Sequence, residues 1–217
     1  MTRRRRTPTP PSTERLRRFY DRLGRHHDWA EHYEGRAKAL ALRALRPAPG
    51  QRVLHVGAGT GIDHRAIVRA IGRPEPAVAV DVSPVMLGLI RSRTGSPVVL
   101  ADARRLPFAD GAFDRLFCSY VLDLLPRGDL TPTIREFARV TGPGGRIALV
   151  SMTEGTTPVS RLLVGVWKIL YRVSPILCGG CRPLELAVPV HDLQLSLEQQ
   201  ATIVQLGFPS QVLILGR

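Results

Sequence analysis

Five residues that close a short apolar run, Gly57-Ala58-Gly59-Thr60-Gly61, and the aspartates that end the next two runs, Asp81 and Asp102, are the positions best suited to chemistry in this chain. Glycines at a strand-to-helix turn let backbone approach a bound ligand closely. A carboxylate at the end of the neighbouring strand can accept hydrogen bonds from both ribose hydroxyls, and a third strand end, Asp102-Ala103, can accept from an adenine amino group. Alone, Asp81 reads equally well as a helix cap or turn residue; the three strand ends together specify an adenosine without a phosphate. The spacing counts against two relatives of this turn. A dinucleotide fingerprint needs glycine at 62, where Ile62 stands, and no Gly-Lys-Ser/Thr phosphate loop follows.

The elements that must hold these residues are legible as alternating runs. RVLHVG (52–57), AVAVDV (77–82), PVVLAD (97–102), FDRLFCSYV (113–121) and GRIALVSM (145–152) read as strands, with helices over 62–72, 84–94 and 130–140. Continuous apolar strands alternating with helices predict an α/β fold with a doubly wound, mostly parallel sheet covered on both faces. Residues 14–46 read as one or two amphipathic helices stopped by Pro47, Pro49 and Gly50, and 201–205 and 211–217 as two strands joined by a Gly-Pro turn. The helix over 158–174 admits two placements: buried on most sides by the sheet and the N-terminal helices, or a basic amphipathic helix on a membrane interface with Trp167 at headgroup depth.

Composition narrows the class. With 217 residues and 44% hydrophobic content the chain holds one ordinary domain, which excludes a wholly disordered chain and a disulfide-stapled miniature. The division expected is a disordered basic tail over 1–13 and a domain over 14–217, made of cap helices (14–50), a ligand-binding core (51–152) and an acceptor-side helix with a terminal hairpin (153–217). Three cysteines, an odd number, suit a reducing compartment, so the chain is expected in the cytoplasm. No secretion signal or membrane-spanning run is expected. The net charge of +13 falls mostly in the first fifty residues and favours anionic partners, lipid headgroups or nucleic acid. Nearly all of it is arginine, Lys38 and Lys168 being the only lysines, so compositional bias accounts for it equally well. Cys178-Gly-Gly-Cys181 has metal or redox spacing, but no second ligand pair accompanies it and no metal is expected.

Five segments together resemble the class I S-adenosylmethionine-dependent methyltransferases: VLHVGAGTG (53–61), AVDVSPVML (79–87), ADARRLPFADGAFD (101–114), CSYVLDLLP (118–126) and EFARVTGPGGRIALVSM (136–152). Phe19-Tyr20-Asp21 and Gly179-Gly180-Cys181-Arg182-Pro183 resemble the quinone-biosynthesis and phospholipid methyltransferase group. The resemblance implies a Rossmann-like, seven-stranded sheet with N-terminal capping helices and an antiparallel last strand. It implies S-adenosylmethionine as cofactor, with Gly57, Ala58, Gly59, Thr60 and Gly61 beside the methionine part and Asp81 on the ribose. Val82 and Met86 would line the adenine, Asp102 and Ala103 its edge, with Ser119 beside the cofactor and Tyr20 capping it. Cys181 and Arg182 would sit in a loop at the acceptor pocket, Arg182 being available for an anionic or carbonyl oxygen. His55 would stand where the family usually has an acid for the methionine amino group; a neutral imidazole can accept there but supplies no permanent charge.

Methyl transfer from a sulfonium is an in-line displacement that needs alignment more than acid-base help. Asp123, Tyr20 and His191 are the candidate bases, each with a plain structural reading beside it: a turn cap, a packed ring, a surface histidine. The expected activity is methyl transfer to a small, lipid-like or quinone-like acceptor, at the inner membrane surface if the charged segments dock there. The alternatives are an RNA-directed enzyme or a non-catalytic binding protein of the same fold. Low aromatic content, 6%, and the lack of an RNA-binding module argue against nucleic acid.

Overall fold

The computed structural model describes residues 9–72, 77–186, 188 and 192–217; His191 and residues 1–8 of the basic tail lie outside them. Five apolar runs form β1 (Val53–Val56), β2 (Ala77–Asp81), β3 (Val98–Leu100), β4 (Phe113–Ser119) and β5 (Thr141–Met152), all parallel. The chain ends in β6 (Ser196–Gln205) and β7 (Phe208–Gly216), with β7 inserted antiparallel between β5 and β6. The sheet order is β3-β2-β1-β4-β5-β7-β6, the doubly wound fold expected. Winding runs outward from β1 to β3, then restarts at β4 on the other side, so a crevice opens beyond the carboxyl ends of β1 and β4, where such sheets bind ligands.

Local signals set the helix boundaries. Ser12 caps α1 (Thr13–Leu23) and Ser83 caps α4 (Pro84–Thr94), each accepting from a backbone N–H three residues on; Pro84 sits at the first helical position. A 3-10 turn (Gly24–Ala30) leads into α2 (Glu31–Leu45), and α3 (Ile62–Ile71) starts directly at Gly61. Because Ser12 caps α1, Thr13 is helical, and its hydroxyl accepts from Arg104 at 2.8 Å; the tail expected over 1–13 therefore ends before it. α5 (Arg127–Val140) begins a turn earlier than its periodicity suggests, and β6 starts at Ser196, where exposed polar residues of an edge strand carry no apolar pattern.

Two apolar layers sandwich the sheet. On one face α5 packs Ile134 and Phe137 against Leu54, Leu116 and Leu149. On the other, α2 and α3 bring Ala37, Ala41, Leu45, Ile67 and Ile71 onto Val53, Phe117, Val150 and Ile214. α6 (Pro158–Val173) departs from its buried placement. Ser160, Val164 and Tyr171 pack inward, but Val159, Leu162, Val166, Ile169, Leu170 and Val173 are exposed.

Strand parity turns His55 toward the α2–α3 layer. It is 1% exposed, stacked on His64 at 5.6 Å and edge-on to Phe117 at 5.0 Å, with neither ring nitrogen hydrogen-bonded. Burial, helped by His64 and Lys38, holds its pKa well below the ordinary imidazole value, and burial brings His64 down to about 4. Both rings are neutral in the fold and charge readily once unfolded, so the unfolded state binds more protons below about pH 6.5. Stability should therefore be full above that value and fall steadily toward pH 4. Thermal unfolding is expected to shift down by roughly 5 °C or more between pH 7.5 and pH 5, and His55→Leu should remove about half of that shift.

Candidate cofactor and acceptor site

The glycine turn is built by the chain's own packing. Gly57 N–H and Ala58 N–H both donate to the Val80 carbonyl, at 2.8 and 3.1 Å, so the turn folds back on β2. Gly57 has φ +65°, and a Cβ there would lie 2.0 Å from Val121 Cγ2; at Gly61, φ +85°, it would press on Ile90. Gly59, φ +53°, faces His27 across ordinary contact distance, so it alone of the three is free to meet a ligand. Asp81 holds the turn from below. Its Oδ2 accepts from Gly59 N–H and its Oδ1 from Ser83 N–H, both at 2.9 Å, while Ser83 Oγ donates to Asp21 of α1 at 2.6 Å. Burial raises the Asp81 pKa against those backbone bonds.

Around this turn one cavity gathers most of the residues singled out in the sequence. Gly57, Ala58, Gly59 and Thr60 form one wall, and Asp81, Val82 and Met86 the next. Asp102, Ala103 and Ser119 complete the strand ends, and Tyr20 of α1 covers them. Asp102 is kept anionic: burial opposes ionisation, but Arg104, at 2.6 Å and bonded onward to Asp129, outweighs it.

Several expected residues stand elsewhere. His55 points into the α2–α3 layer and Gly61 into α4, so neither lines the cavity. Asp123 is fully buried and accepts from Met152 N–H at 2.7 Å, tying β5 to the segment after β4; it reaches neither cavity. Burial raises its pKa well above the carboxylate range. Arg182 turns away to the Leu125 carbonyl. Tyr20 does line the site, but its hydroxyl donates to the Gly179 carbonyl at 2.9 Å, and burial pushes its pKa well up, so it holds the 179–183 loop rather than taking protons. Among the described residues no cluster of metal-ligating side chains occurs.

A second cavity adjoins the first. Its walls are aromatic and apolar: Phe19, Tyr33, Trp167, Phe208 and Met152, with Trp29 and Leu177 at the exposed rim. The rings form a chain, Trp29 to Tyr33 at 5.7 Å, Tyr33 to Phe208 at 5.2 Å and Phe208 to Trp167 at 5.6 Å. Cys181 lines both cavities, its carbonyl bonded by Trp167 Nε1 at 2.9 Å. Tyr20, His27, Glu34 and Tyr120 also border both. Tyr120 reaches this seam from a left-handed backbone, φ +54°, secured by its N–H on Val150 and its hydroxyl against Ser210.

α2 supplies what the sequence reading missed. Glu31, Glu34 and Lys38 lie on one helix face with Asp63 of α3 opposite, and all four line the first cavity. Lys38 bonds Glu31, stands 3.1 Å from Asp63 and 3.6 Å from Glu34, and is 8% exposed. Burial works against its charge, yet Asp63, Glu34 and Glu31 raise its pKa. Three carboxyls about one ammonium leave a surplus of negative charge, which suits a ligand with net positive charge. The i, i+3, i+7 spacing of 31, 34 and 38 was visible, but it is also that of an ordinary solvated face.

The methyltransferase domain family profile matches residues 53–145. The chain is 38% identical over 138 residues to a demethylmenaquinone methyltransferase of Mycolicibacterium vanbaalenii, an alignment covering 63% of this chain and 57% of that protein. The chain thus spans little more than half the length of the relative it matches. Among solved structures, the geranyl diphosphate C-methyltransferase of Streptomyces coelicolor, with bound S-adenosylhomocysteine, superposes with TM-score 0.69 at 13% identity, covering 97% of this chain and 100% of that one. The [4+2]-cyclase SpnF superposes with TM-score 0.70 at 15% identity, covering 96% and 97%. At such identities the superpositions speak for the fold alone, which these two titles show serving different reactions. Residues 53–145 therefore carry a methyltransferase domain, and the chain is similar to S-adenosylmethionine-dependent methyltransferases.

Proposed function

We propose that this protein binds S-adenosylmethionine in the first cavity and methylates a lipophilic, quinone-like aromatic acceptor held in the second, with α6 resting on an anionic membrane surface. The observation that carries this reading is the joining of two chemically distinct cavities along one seam. One is polar, rimmed by the glycine turn, Asp81 and the α2 carboxyls; the other is walled by aromatic rings. S-adenosylmethionine, once bound, supplies an electrophilic methyl group on a sulfonium. Asp81 would take the ribose, Met86 and Val82 the adenine faces, and Asp102 or its backbone the adenine edge. Glu31, Asp63 and Lys38 would meet the charged amino acid end, in place of the acid missing at 55. Phe208, Trp167 and Tyr33 would sandwich an aromatic acceptor and exclude water from the transfer.

The rim of the second cavity supports the membrane part. Trp29 and Leu177 at its mouth are 68% and 64% exposed, and Val159, Leu162, Val166, Ile169 and Val173 form an exposed line along α6, the helix that precedes Leu177. Exposed Arg161 and Arg172 flank that line. A contiguous apolar stripe with arginines beside it suits the boundary between headgroups and acyl chains. No described helix is long and apolar enough to cross a membrane. Relatives named for demethylmenaquinone support the acceptor class. An electron-poor quinone ring is no nucleophile, so the competent form of such an acceptor is the reduced, hydroxyl-bearing one.

Titration calorimetry with S-adenosylhomocysteine tests the first cavity: Asp81→Asn should weaken binding by about 10- to 100-fold, and His55→Leu should leave it within about threefold. Binding by neither wild type nor His55→Leu would refute the cofactor assignment. Mass spectrometry should find one methyl group added to a short-chain demethylmenaquinol, and no product would remove that acceptor. For the membrane part, the double variant Leu162→Glu/Ile169→Glu should lose roughly tenfold or more in co-sedimentation with phosphatidylglycerol vesicles while keeping its affinity for S-adenosylhomocysteine. Equal sedimentation would show that α6 is not the docking element.

A further inference from the structure

Glu34 stands where the two cavities meet, and the methyl transfer described above assigns it no chemical step. It borders both, its side chain is 10% exposed, and the ammonium nearest it, on Lys38, is 3.6 Å away and already engaged by Glu31 and Asp63. We propose that Glu34 is the proton acceptor of this reaction, and that the positive charge of the bound cofactor sets when it can act. The proposal rests on the methyltransferase reading.

The other groups around the seam are committed. Tyr20 donates to Gly179, and Tyr120 shares a hydrogen bond with Ser210; both, with Tyr33, have pKa values raised chiefly by burial. Cys181 is likewise kept as a thiol by burial. His27, brought down to about 4 chiefly by burial, is too weak a base. Asp123 lies beyond the cavity walls. Glu31 and Asp63 are the near partners of Lys38. Glu34 differs from all of these: burial first, then Glu31 and Asp63, raise its pKa against Lys38 to about 7, the value suited to general-base work at neutral pH.

The step balances without an oxidant or reductant. Glu34 carboxylate takes the proton of an acceptor hydroxyl. The activated oxygen, or the ring carbon conjugated with it, forms its bond to the methyl carbon, and the electron pair of the broken sulfur–methyl bond stays on sulfur. If carbon is methylated, the ring C–H proton returns to the oxygen, so in either case one proton rests on Glu34. Charge sets the timing. A cation in the adjoining cavity favours the Glu34 anion before transfer, and its neutralisation to a thioether favours the protonated form afterwards.

Calorimetry separates this from the underlying reading. Full-length protein at pH 7 is titrated with S-adenosylmethionine and with S-adenosylhomocysteine, each in two buffers of different protonation enthalpy. Wild type should release more protons to the sulfonium than to the thioether, by on the order of 0.3 proton, and Glu34→Gln should release equal numbers. Turnover of short-chain demethylmenaquinol should rise with pH through about 7 in wild type. Glu34→Gln should be slower by about 100-fold with no such rise, and Glu34→Asp should recover part of the rate. Equal proton counts in wild type, or Glu34→Gln turnover within about threefold of wild type, would overturn the proposal. Absence of binding by either ligand would instead overturn the cofactor assignment, and this proposal with it.

Discussion

Everything at the site depends on how closely α2 can lie on the sheet. Its fully buried apolar residues are small near the site, Ala37 and Ala41, with the larger Leu45 at the far end and Leu40 and Leu42 packed at the margins. Small residues let the helix axis approach Phe117, Val150 and Ile214, and that approach carries Glu31, Glu34 and Lys38 over the glycine turn. Burying a lysine there costs solvation that a single surface partner would not return. Asp63, delivered by the first turn of α3, and Glu31 offset it. The Gln205 side chain fixes the placement of that same end: its amide bridges Arg36 N–H at 2.7 Å and the His32 carbonyl at 2.6 Å, tying the end of β6 to the first turns of α2.

That arrangement explains which parts of the site were legible in the sequence. The glycine turn, Asp81 and Asp102 are each fixed by one strand and the turn after it, so spacing along the chain translates directly into position. The α2 carboxyls and Lys38 are brought to the same place by a helix docking across the sheet, and along the sequence they look like the i, i+3 and i+4 charges of any solvated helix. His55 shows the opposite failure. Its place beside the turn suggested the cavity, but alternation along β1 sends Leu54 and Val56 to one face and His55 to the other, against His64 and Phe117. Asp123 and Arg182 failed for a related reason: each is consumed by a backbone group, at Met152 and Leu125, that no local pattern announces.

The helix α6 illustrates how a narrow polar stripe can mislead. Its sequence is apolar nearly all round, which admits burial on most sides as well as an interfacial placement, and the fully buried residues are Ser160, Val164 and Tyr171. The inner contacts are specific. Gly207 leaves room for Leu163, since a Cβ there would fall 2.3 Å from its Cδ1, and Trp167 reaches the second cavity against Phe208. The helix therefore has two apolar faces, one against the second cavity and one exposed. The capping box at Thr157 and Ser160, with Pro158 in the first turn, gives it a firm start.

The charge pattern around the first cavity also narrows what can occupy it. A nucleotide brings phosphates and seeks donors: a helix N-terminus, lysines or arginines. Here the helix after the turn opens with Asp63, Lys38 is surrounded by three carboxyls, and Arg93 beside Thr60 is already paired with Asp28 at 2.7 Å. Phosphate would meet a surplus of negative charge. A nucleoside bearing a cationic, amino-acid-tipped substituent would meet its complement, and each carboxylate that such a ligand neutralises lowers the repulsion among the others. The loss of the acid at 55 therefore does not strip the site of negative charge; that charge resides on α2 and α3 instead.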